Sequence, residues 1–197
     1  MTITQEPRGK FLQDLRSWWY KILESGRNPA RADFKLGEWT QHLPWIVLVD
    51  AVRDDEGQWV DGLVKVYGSR LVQHFGGEMT GMKFSAAGEP FVSRWTAVSN
   101  ESLRSRAPVT ATGTILLPEY DFQAFEVLCL PLFDERDVIE KLLIEIELSK
   151  IEHYRTGRVG RLSTYAVFRM VSGCCATNAR ETTTAPGKCR LTVVPAP

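Results

Sequence analysis

The chain has 197 residues, of which 44% are hydrophobic and 24% are charged, enough for one globular core of ordinary size. No apolar run approaches the roughly 18 residues that cross a bilayer, and residues 1–10 lack the apolar stretch of a secretory signal, so we expect a cytoplasmic protein with no membrane contact. The net charge is zero, but residues 151–197 carry seven Lys or Arg against two Glu, a net charge of +5 that leaves −5 on the rest.

The first predicted element is an amphipathic helix over residues 10–25, which Gly26 ends. Its apolar stripe must be buried either on the outer face of a sheet or against a second subunit. We favour the second alternative, in which this helix contacts a partner or forms a homodimer. The side chains assigned to that contact are Phe11, Leu15, Trp18, Trp19 and Ile22.

A β-hairpin is predicted next. A turn over 28–33 and a short helical piece over 36–42 end at Pro44. The segments 45–52 and 58–67 are rich in β-branched and apolar residues, and the residues between them are typical of a turn. We therefore expect two antiparallel strands here.

A helical connector and a longer helix follow the hairpin. Residues 68–90 are broken by several glycines, which predicts short helical or turn pieces. Pro90 suits the first turn of a helix, and apolar residues then recur at near-helical spacing as far as Arg106.

Three strands are predicted over 109–117, 120–133 and 138–148. Their connections are as short as hairpins, so neighbouring strands should be antiparallel. A helix competes over 138–148, because Glu and Leu both favour helices. The whole order predicts an α+β fold with an antiparallel sheet and the helices gathered on one face.

This element order resembles that of a PAS domain, and several local patterns resemble a family of small bacterial PAS-like proteins. The resemblance covers about Trp18 to Leu148, roughly two-thirds of the chain. The stretches that carry it are Trp19, Gly26-Arg27, Pro29-Ala30-Arg31-Ala32-Asp33, Leu43-Pro44, Ile46-Val47-Leu48-Val49-Asp50, Tyr67-Gly68-Ser69, Phe75-Gly76 and Met79-Thr80-Gly81.

The resemblance implies a five-stranded antiparallel sheet whose helical side encloses a pocket. It also implies a role in sensing or protein interaction, often through dimers, and it specifies no single ligand. We divide the chain into an N-terminal amphipathic helix (1–27), a PAS-like domain (28–150) and a basic, irregular C-terminal extension (151–197) to which nothing of the family transfers.

A pocket between the sheet and the long helix would be lined by apolar and aromatic side chains. The alternative, which we favour from the sequence, is that these side chains simply fill the core. The residues assigned to the pocket are Phe84, Trp95, Val98, Leu116, Phe125 and Val127.

No cofactor or metal is predicted. Haem would need an axial histidine, for which His74 is the best candidate beside His42 and His153, but its position next to Phe75 favours a surface or capping role. A flavin adduct would need a cysteine on the connector, and the first cysteine in the sequence is Cys129. The four cysteines form no C-x-x-C pair, so we expect free thiols.

The sequence lacks the common catalytic motifs, and its acidic run at 54–56 is typical of a solvated turn. The basic extension interleaves cations with aromatic residues, but a net charge of +5 over residues 151–197 is too low to favour nucleic-acid binding. We therefore predict a non-enzymatic PAS-like sensory or regulatory module in bacterial signalling, acting through a protein partner or a small ligand. The runner-up is a small-molecule-processing enzyme on a similar curved sheet, with a pocket acid or histidine as general base.

Overall fold

The computed structural model describes residues 1–4, 6–88, 91–116 and 122–150. The predictions for the extension over 151–197, including His153, and for the turn at Pro118 and Glu119 lie outside these ranges. Within them, no helix is long and apolar enough to span a membrane.

Six strands of the described residues form one antiparallel sheet in the order β1-β4-β5-β6-β2-β3. The five predicted strands are confirmed, and the competing helix over 138–148 is wrong. The predicted number of strands was too low by one, because an N-terminal strand of three β-branched residues pairs with β4. The strands are β1 (Thr2–Thr4), β2 (Ile46–Arg53), β3 (Trp59–Tyr67), β4 (Val109–Leu116), β5 (Phe122–Phe133) and β6 (Ile139–Lys150).

In the part of the chain that the structure describes, three α-helices accompany the sheet: α1 (Lys10–Glu24), α2 (Ser69–Phe75) and α3 (Phe91–Ser105). The helical piece expected over 36–42 is instead a single 3-10 turn at Leu36–Glu38, and Pro44 lies inside a further such turn. The connector consists of short pieces as predicted, namely α2, a turn and a 3-10 turn at Phe84–Ala86. Between them, Gly81 and Met82 run beside β3 and exchange backbone hydrogen bonds with Val64.

The helices cover both faces of the sheet. Successive residues of a strand point to opposite faces, so Val127 and its partner Ile146 share one face while Leu128 and Glu145 share the other. The face of Val127, here called the inner face, is covered by α2 and α3. The opposite, outer face is covered by α1. The PAS-like fold class is thus confirmed, with helices enclosing the inner face and α1 across the outer one.

Local contacts explain two of the motifs that carry the PAS resemblance. The Arg27 guanidinium makes two hydrogen bonds of 2.5 and 2.7 Å to the Asp33 carboxylate, which also accepts the Ala30 N–H at 2.8 Å. This closes the turn after α1 and brings the Pro29 carbonyl to the N–H of Phe133. Gly68 is required by close approach, since a Cβ there would lie 2.2 Å from the Pro44 carbonyl oxygen.

Candidate functional site

A cavity of about 50 Å³ lies on the inner face, between α3 and the strands β4, β5 and β6. Its walls are almost wholly apolar, because the inward-pointing residues of three neighbouring strands and one face of α3 meet there. An apolar cavity of this size has room for only a very small molecule. The side chains that line it are Met1, Phe75, Arg94, Trp95, Val98, Ile115, Phe125, Val127, Ile144 and Ile146.

Gly113 positions one wall of this cavity. It lies opposite Phe125 in the β4–β5 pairing, and a Cβ at residue 113 would be 2.6 Å from the Phe125 ring. The missing side chain therefore lets the ring lie across β4. Phe125 in turn lines the cavity. Gly113 therefore influences the shape of the cavity although it is not itself a lining residue.

The sequence-predicted pocket residues have three different positions. Trp95, Val98, Phe125 and Val127 line the cavity. Phe84 is fully buried one layer away, with its ring centre 5.2 Å from that of Trp95. The side chain of Leu116 lies outside the described part of the chain.

Several lining residues were missed from the sequence. Ile115 precedes the predicted Leu116, and strand alternation with Phe125 and Val127 could have identified it. Ile144 and Ile146 alternate with polar residues in the strand predicted over 138–148, but nothing local indicated that their face bounds a cavity. Arg94 was overlooked because a charged side chain next to Trp95 is typical of the exposed side of a helix.

On the outer face, α1 packs through Leu12, Leu15 and Trp19, which are all buried. The Trp19 indole N–H donates to the carbonyl of Pro131 in β5 at 2.7 Å. Proline has no N–H to offer a neighbouring strand, and β5 here extends beyond its last pairing with β4 at Cys129. The Pro131 carbonyl therefore lies beyond the residues that pair with β4, and the Trp19 indole donates a hydrogen bond to it.

A buried acid–histidine pair lies beneath the first half of α1. Nδ1 of His42 is 3.0 Å from both carboxylate oxygens of Glu145, which is only 2% exposed. The rings of Phe11 and Trp39 contact His42 edge-on at 5.1 and 4.8 Å. Burial raises the pKa of Glu145, and the hydrogen bond from His42 acts in the opposite direction.

Two more carboxylates of the outer face meet the start of α1. The Glu126 carboxylate accepts the backbone N–H groups of Arg8 and Gly9, at 3.0 and 2.8 Å, where the helix dipole favours a negative charge. Glu147 lies against Gly9, where a Cβ would be 1.9 Å from one of its oxygens. Burial, together with the charges of Glu126 and Glu145, raises the pKa of Glu147.

The residues predicted for a dimer or partner contact are divided between the core and the surface. Leu15 and Trp19 are buried against this chain's own sheet. Trp18 is half-buried against the rings of Phe34 and Trp39, at 5.5 and 5.9 Å, and Ile22 is partly exposed. Phe11 is exposed over 39% of its surface.

His42 and His74, the two haem candidates that lie in the described ranges, are not among the residues that line the cavity. His42 lies on the outer face with Glu145, and the His74 ring stacks on Trp45 with ring centres 5.3 Å apart. Among the lining residues that the structure describes, there is likewise no acid or histidine that could serve as the general base of the enzyme alternative. In the described ranges, no three His, Cys, Asp or Glu side chains are grouped closely enough to hold a metal ion.

Comparison with solved structures finds distant similarity to PAS-type proteins. The PAS domain of a protein from Colwellia psychrerythraea is 14% identical, and the match covers 57% of this chain and 94% of that domain with a TM-score of 0.37. An RNA-binding Light-Oxygen-Voltage receptor is 11% identical, and the match covers 74% of this chain and 36% of the receptor with a TM-score of 0.40. No family model and no curated protein matches the sequence. The PAS-like assignment rests on the antiparallel sheet and on the helices that enclose a cavity against it.

Proposed function

We propose that the protein is a PAS-like sensory or regulatory module in bacterial signalling. Its inner cavity takes a small molecule, and α1 on the outer face passes the occupancy of the cavity to a protein partner. The main support for this proposal is that the same two strands, β5 and β6, form both a wall of the cavity and the surface on which α1 packs. Val127, Ile144 and Ile146 line the cavity.

The neighbours of these three residues in β5 and β6 point to the outer face and lie beneath α1. Leu128 follows Val127 and is buried on the outer face, and Glu145 lies between the two isoleucines and binds His42. A ligand that moves β5 or β6 by a fraction of an ångström therefore moves the surface beneath α1 as well. The expected mechanism is a shift in population between two arrangements of α1 on the sheet.

Filling the cavity tests the ligand part of this proposal. Val98→Phe places a larger side chain in the cavity, and Val60→Phe makes the same change at a position that is 56% exposed. Native mass spectrometry of the protein purified from its own cells is expected to show a retained small molecule in the wild type and in Val60→Phe, but not in Val98→Phe. A wild-type protein that never retains a small molecule would indicate a core that is simply filled.

Hydrogen exchange tests the transmission part. Removing the retained molecule is expected to change the exchange rates of the amides in α1, and this change should be absent in Val98→Phe. Unchanged exchange throughout α1 would contradict a signalling role for this helix, even in a protein that binds a ligand.

We further propose that the partner is a signalling protein or a second copy of this chain, which contacts the exposed side of α1. Because Leu15 and Trp19 are buried, such a contact would use Phe11 together with Leu23, which is 38% exposed. Analytical ultracentrifugation of the wild type and of Phe11→Asp measures this. A wild-type homodimer that Phe11→Asp dissociates supports self-association, whereas a dimer that survives the substitution places the interface elsewhere.

A further inference from the structure

Two glutamates of the outer face lie directly opposite each other beneath the start of α1. Glu126 of β5 pairs with Glu147 of β6, and like charges in this arrangement repel each other. The carboxylate of Glu126 accepts the backbone N–H groups of Arg8 and Gly9. Oε2 of Glu147 is buried and has no hydrogen-bond partner among the described residues. A negative charge on Glu147 is therefore poorly stabilised while α1 is in place.

The titratable groups around Glu147 add to this effect. Glu145 lies two residues earlier on the same face of β6 and is hydrogen-bonded to His42, which precedes β2. Asp14 of α1 places a further negative charge near Glu145. Burial, followed by the charges of Glu126 and Glu145, raises the pKa of Glu147.

The cations of the same stretch do not offset these charges. The side chains of Arg8 and Lys10 are exposed, and the Arg16 guanidinium lies 3.7 Å from the carboxylate of Glu6. Burial of an acid without a cation beside it favours the neutral, protonated form.

Gly9 lets the start of α1 lie directly over Glu147. A Cβ at residue 9 would be 1.9 Å from Oε2 of Glu147, so the Gly9 backbone packs against the carboxyl group. When the start of α1 lifts away, the carboxyl group returns to water, which hydrates the charge and screens its repulsion from Glu126. A proton on Glu147 therefore stabilises the seated arrangement of α1 relative to a lifted one.

We propose, on the basis of the function proposed above, that α1 is a proton-dependent switch as well as the helix that transmits the occupancy of the cavity. Its first two turns (residues 10–17) lie on the sheet while Glu147 carries a proton, and they lift as the pH rises and Glu147 ionises. At low pH the carboxyl group is protonated in both arrangements. The seated arrangement loses stability as the pH rises, because it holds the proton more tightly than the lifted one.

Hydrogen exchange measured by NMR tests this switch in the full chain. The N–H of Gln13 donates to the carbonyl of Gly9 as the helix begins, and a short helix without the sheet is marginal, so lifting exposes the amides of residues 13–17 to exchange. Their opening constants are compared between pH 4 and pH 8, after correction for the intrinsic pH dependence of exchange. Circular dichroism verifies that each variant is folded.

The variants are Glu147→Gln, whose side chain stays neutral at every pH, and Glu135→Gln, the matched change in an exposed turn. Because Glu147→Gln leaves Glu145 and His42 in place, its ratio to the wild type isolates the contribution of Glu147. At pH 8 its opening constants should be about two- to threefold lower than those of the wild type, and near pH 4 the two should be equal. Glu135→Gln should match the wild type throughout.

Gly9→Ala tests the contact in the opposite direction. Its Cβ displaces the Glu147 carboxyl group, so α1 should open more readily than in the wild type already at pH 4 and should depend less on pH. Equal opening constants in the wild type and Glu147→Gln at pH 8 would overturn the switch and leave a ligand-dependent change in α1 unaffected. An α1 that responds to pH but not to removal of a retained ligand would support the switch and contradict the proposed transmission from the cavity.

Discussion

The two faces of the central sheet differ although they belong to the same strands. The inner face is built from apolar side chains and leaves a cavity whose walls are almost wholly apolar. The outer face buries polar groups, the His42–Glu145 pair and the carboxylates at the start of α1, and satisfies most of them through specific partners. Alternation along a strand allows this division, since every second residue belongs to the other face.

The two faces of the sheet therefore respond differently to a change in structure. An apolar wall with a gap can accept a guest or repack, because dispersion and burial have no required direction. A buried acid–histidine pair and a capped helix start require particular geometries, so a change in the position of α1 has to break or exchange specific contacts. Four substitutions, taken from the largest expected effect to the smallest, test this contrast.

The largest loss is expected for Trp19→Ala on the outer face. It removes a side chain that is 1% exposed together with its hydrogen bond to the Pro131 carbonyl, so the free energy of unfolding should fall by about 3 to 5 kcal/mol. Urea unfolding measures the change. Trp18→Ala, at a half-buried position, is the control and should cost less than half as much. Equal losses at the two tryptophans would mean that α1 is not seated as described.

His42→Ala tests whether the outer face depends on paired polar groups. It leaves the buried Glu145 carboxyl without its hydrogen-bond partner, at an expected cost of about 2 to 3 kcal/mol. Glu145→Gln keeps a side chain of similar size that can still hydrogen-bond to His42, and should cost less than about 1 kcal/mol. The comparison is made by urea unfolding at one pH. A greater loss in Glu145→Gln than in His42→Ala would show that the negative charge itself is needed.

Gly113→Ala tests the inner face. The added Cβ collides with the Phe125 ring, so we expect a cost of about 1 to 2 kcal/mol and weaker binding of small molecules in the cavity. Gly37→Ala is the control, because no atom lies within 4 Å of a Cβ there. Thermal unfolding and calorimetry measure the two effects. If Gly113→Ala binds small molecules as well as the wild type does, the Phe125 ring is not part of the ligand site.

The smallest effect is expected for Glu147→Gln, and it should depend on pH. The raised pKa of Glu147 means that the folded protein holds this proton more tightly than the unfolded chain does. Below the unfolded pKa both states are protonated, and as the pH rises past that value the wild type loses stability that the amide variant keeps. Glu147→Gln should therefore match the wild type near pH 4 and exceed it by about 0.5 kcal/mol at pH 7 to 8.

The control for this pH dependence is Glu135→Gln, at an exposed position in the turn between β5 and β6. Its stability should parallel that of the wild type from pH 4 to pH 8. A Glu147→Gln variant that also parallels the wild type would show that the carboxyl is not held in a protonation-sensitive position beneath α1.

The elements that could be predicted from sequence are those with strong periodicity. The helix predicted over 10–25 is observed as Lys10–Glu24, and the strand predicted over 138–148 as Ile139–Lys150, because long repeating patterns strongly constrain where an element lies. Over 138–148 a helix also competed, and pairing with β2 and β5 decided for the strand. The three-residue β1 was missed, since Thr2-Ile3-Thr4 is too short to form a strand without β4 beside it. The 3-10 turn at Leu43–Trp45 was missed, because Pro44 was interpreted as the end of a helical piece and not as part of a further turn.

The residues of the candidate site could likewise be predicted only where they belong to a periodic pattern. Trp95, Val98, Phe125 and Val127 stood out as apolar positions on regular elements. Arg94 and the His42–Glu145 pair did not, because a single polar residue carries no periodic signal. His42 and Glu145 are separated by 103 positions in the sequence, and they meet because β2, which begins shortly after His42, pairs with β6 so that Ile46 lies opposite Glu145.

The sequence by itself determined the order of the elements, the antiparallel pairing of the hairpins and the apolar side of α1, because these depend on neighbouring residues and short connections. Only the tertiary structure decided that α1 lies on its own sheet, that an apolar space remains beneath α3, and which polar groups end up buried together. Those outcomes depend on contacts between residues far apart in the chain. Their energy is gained only when the whole sheet has assembled.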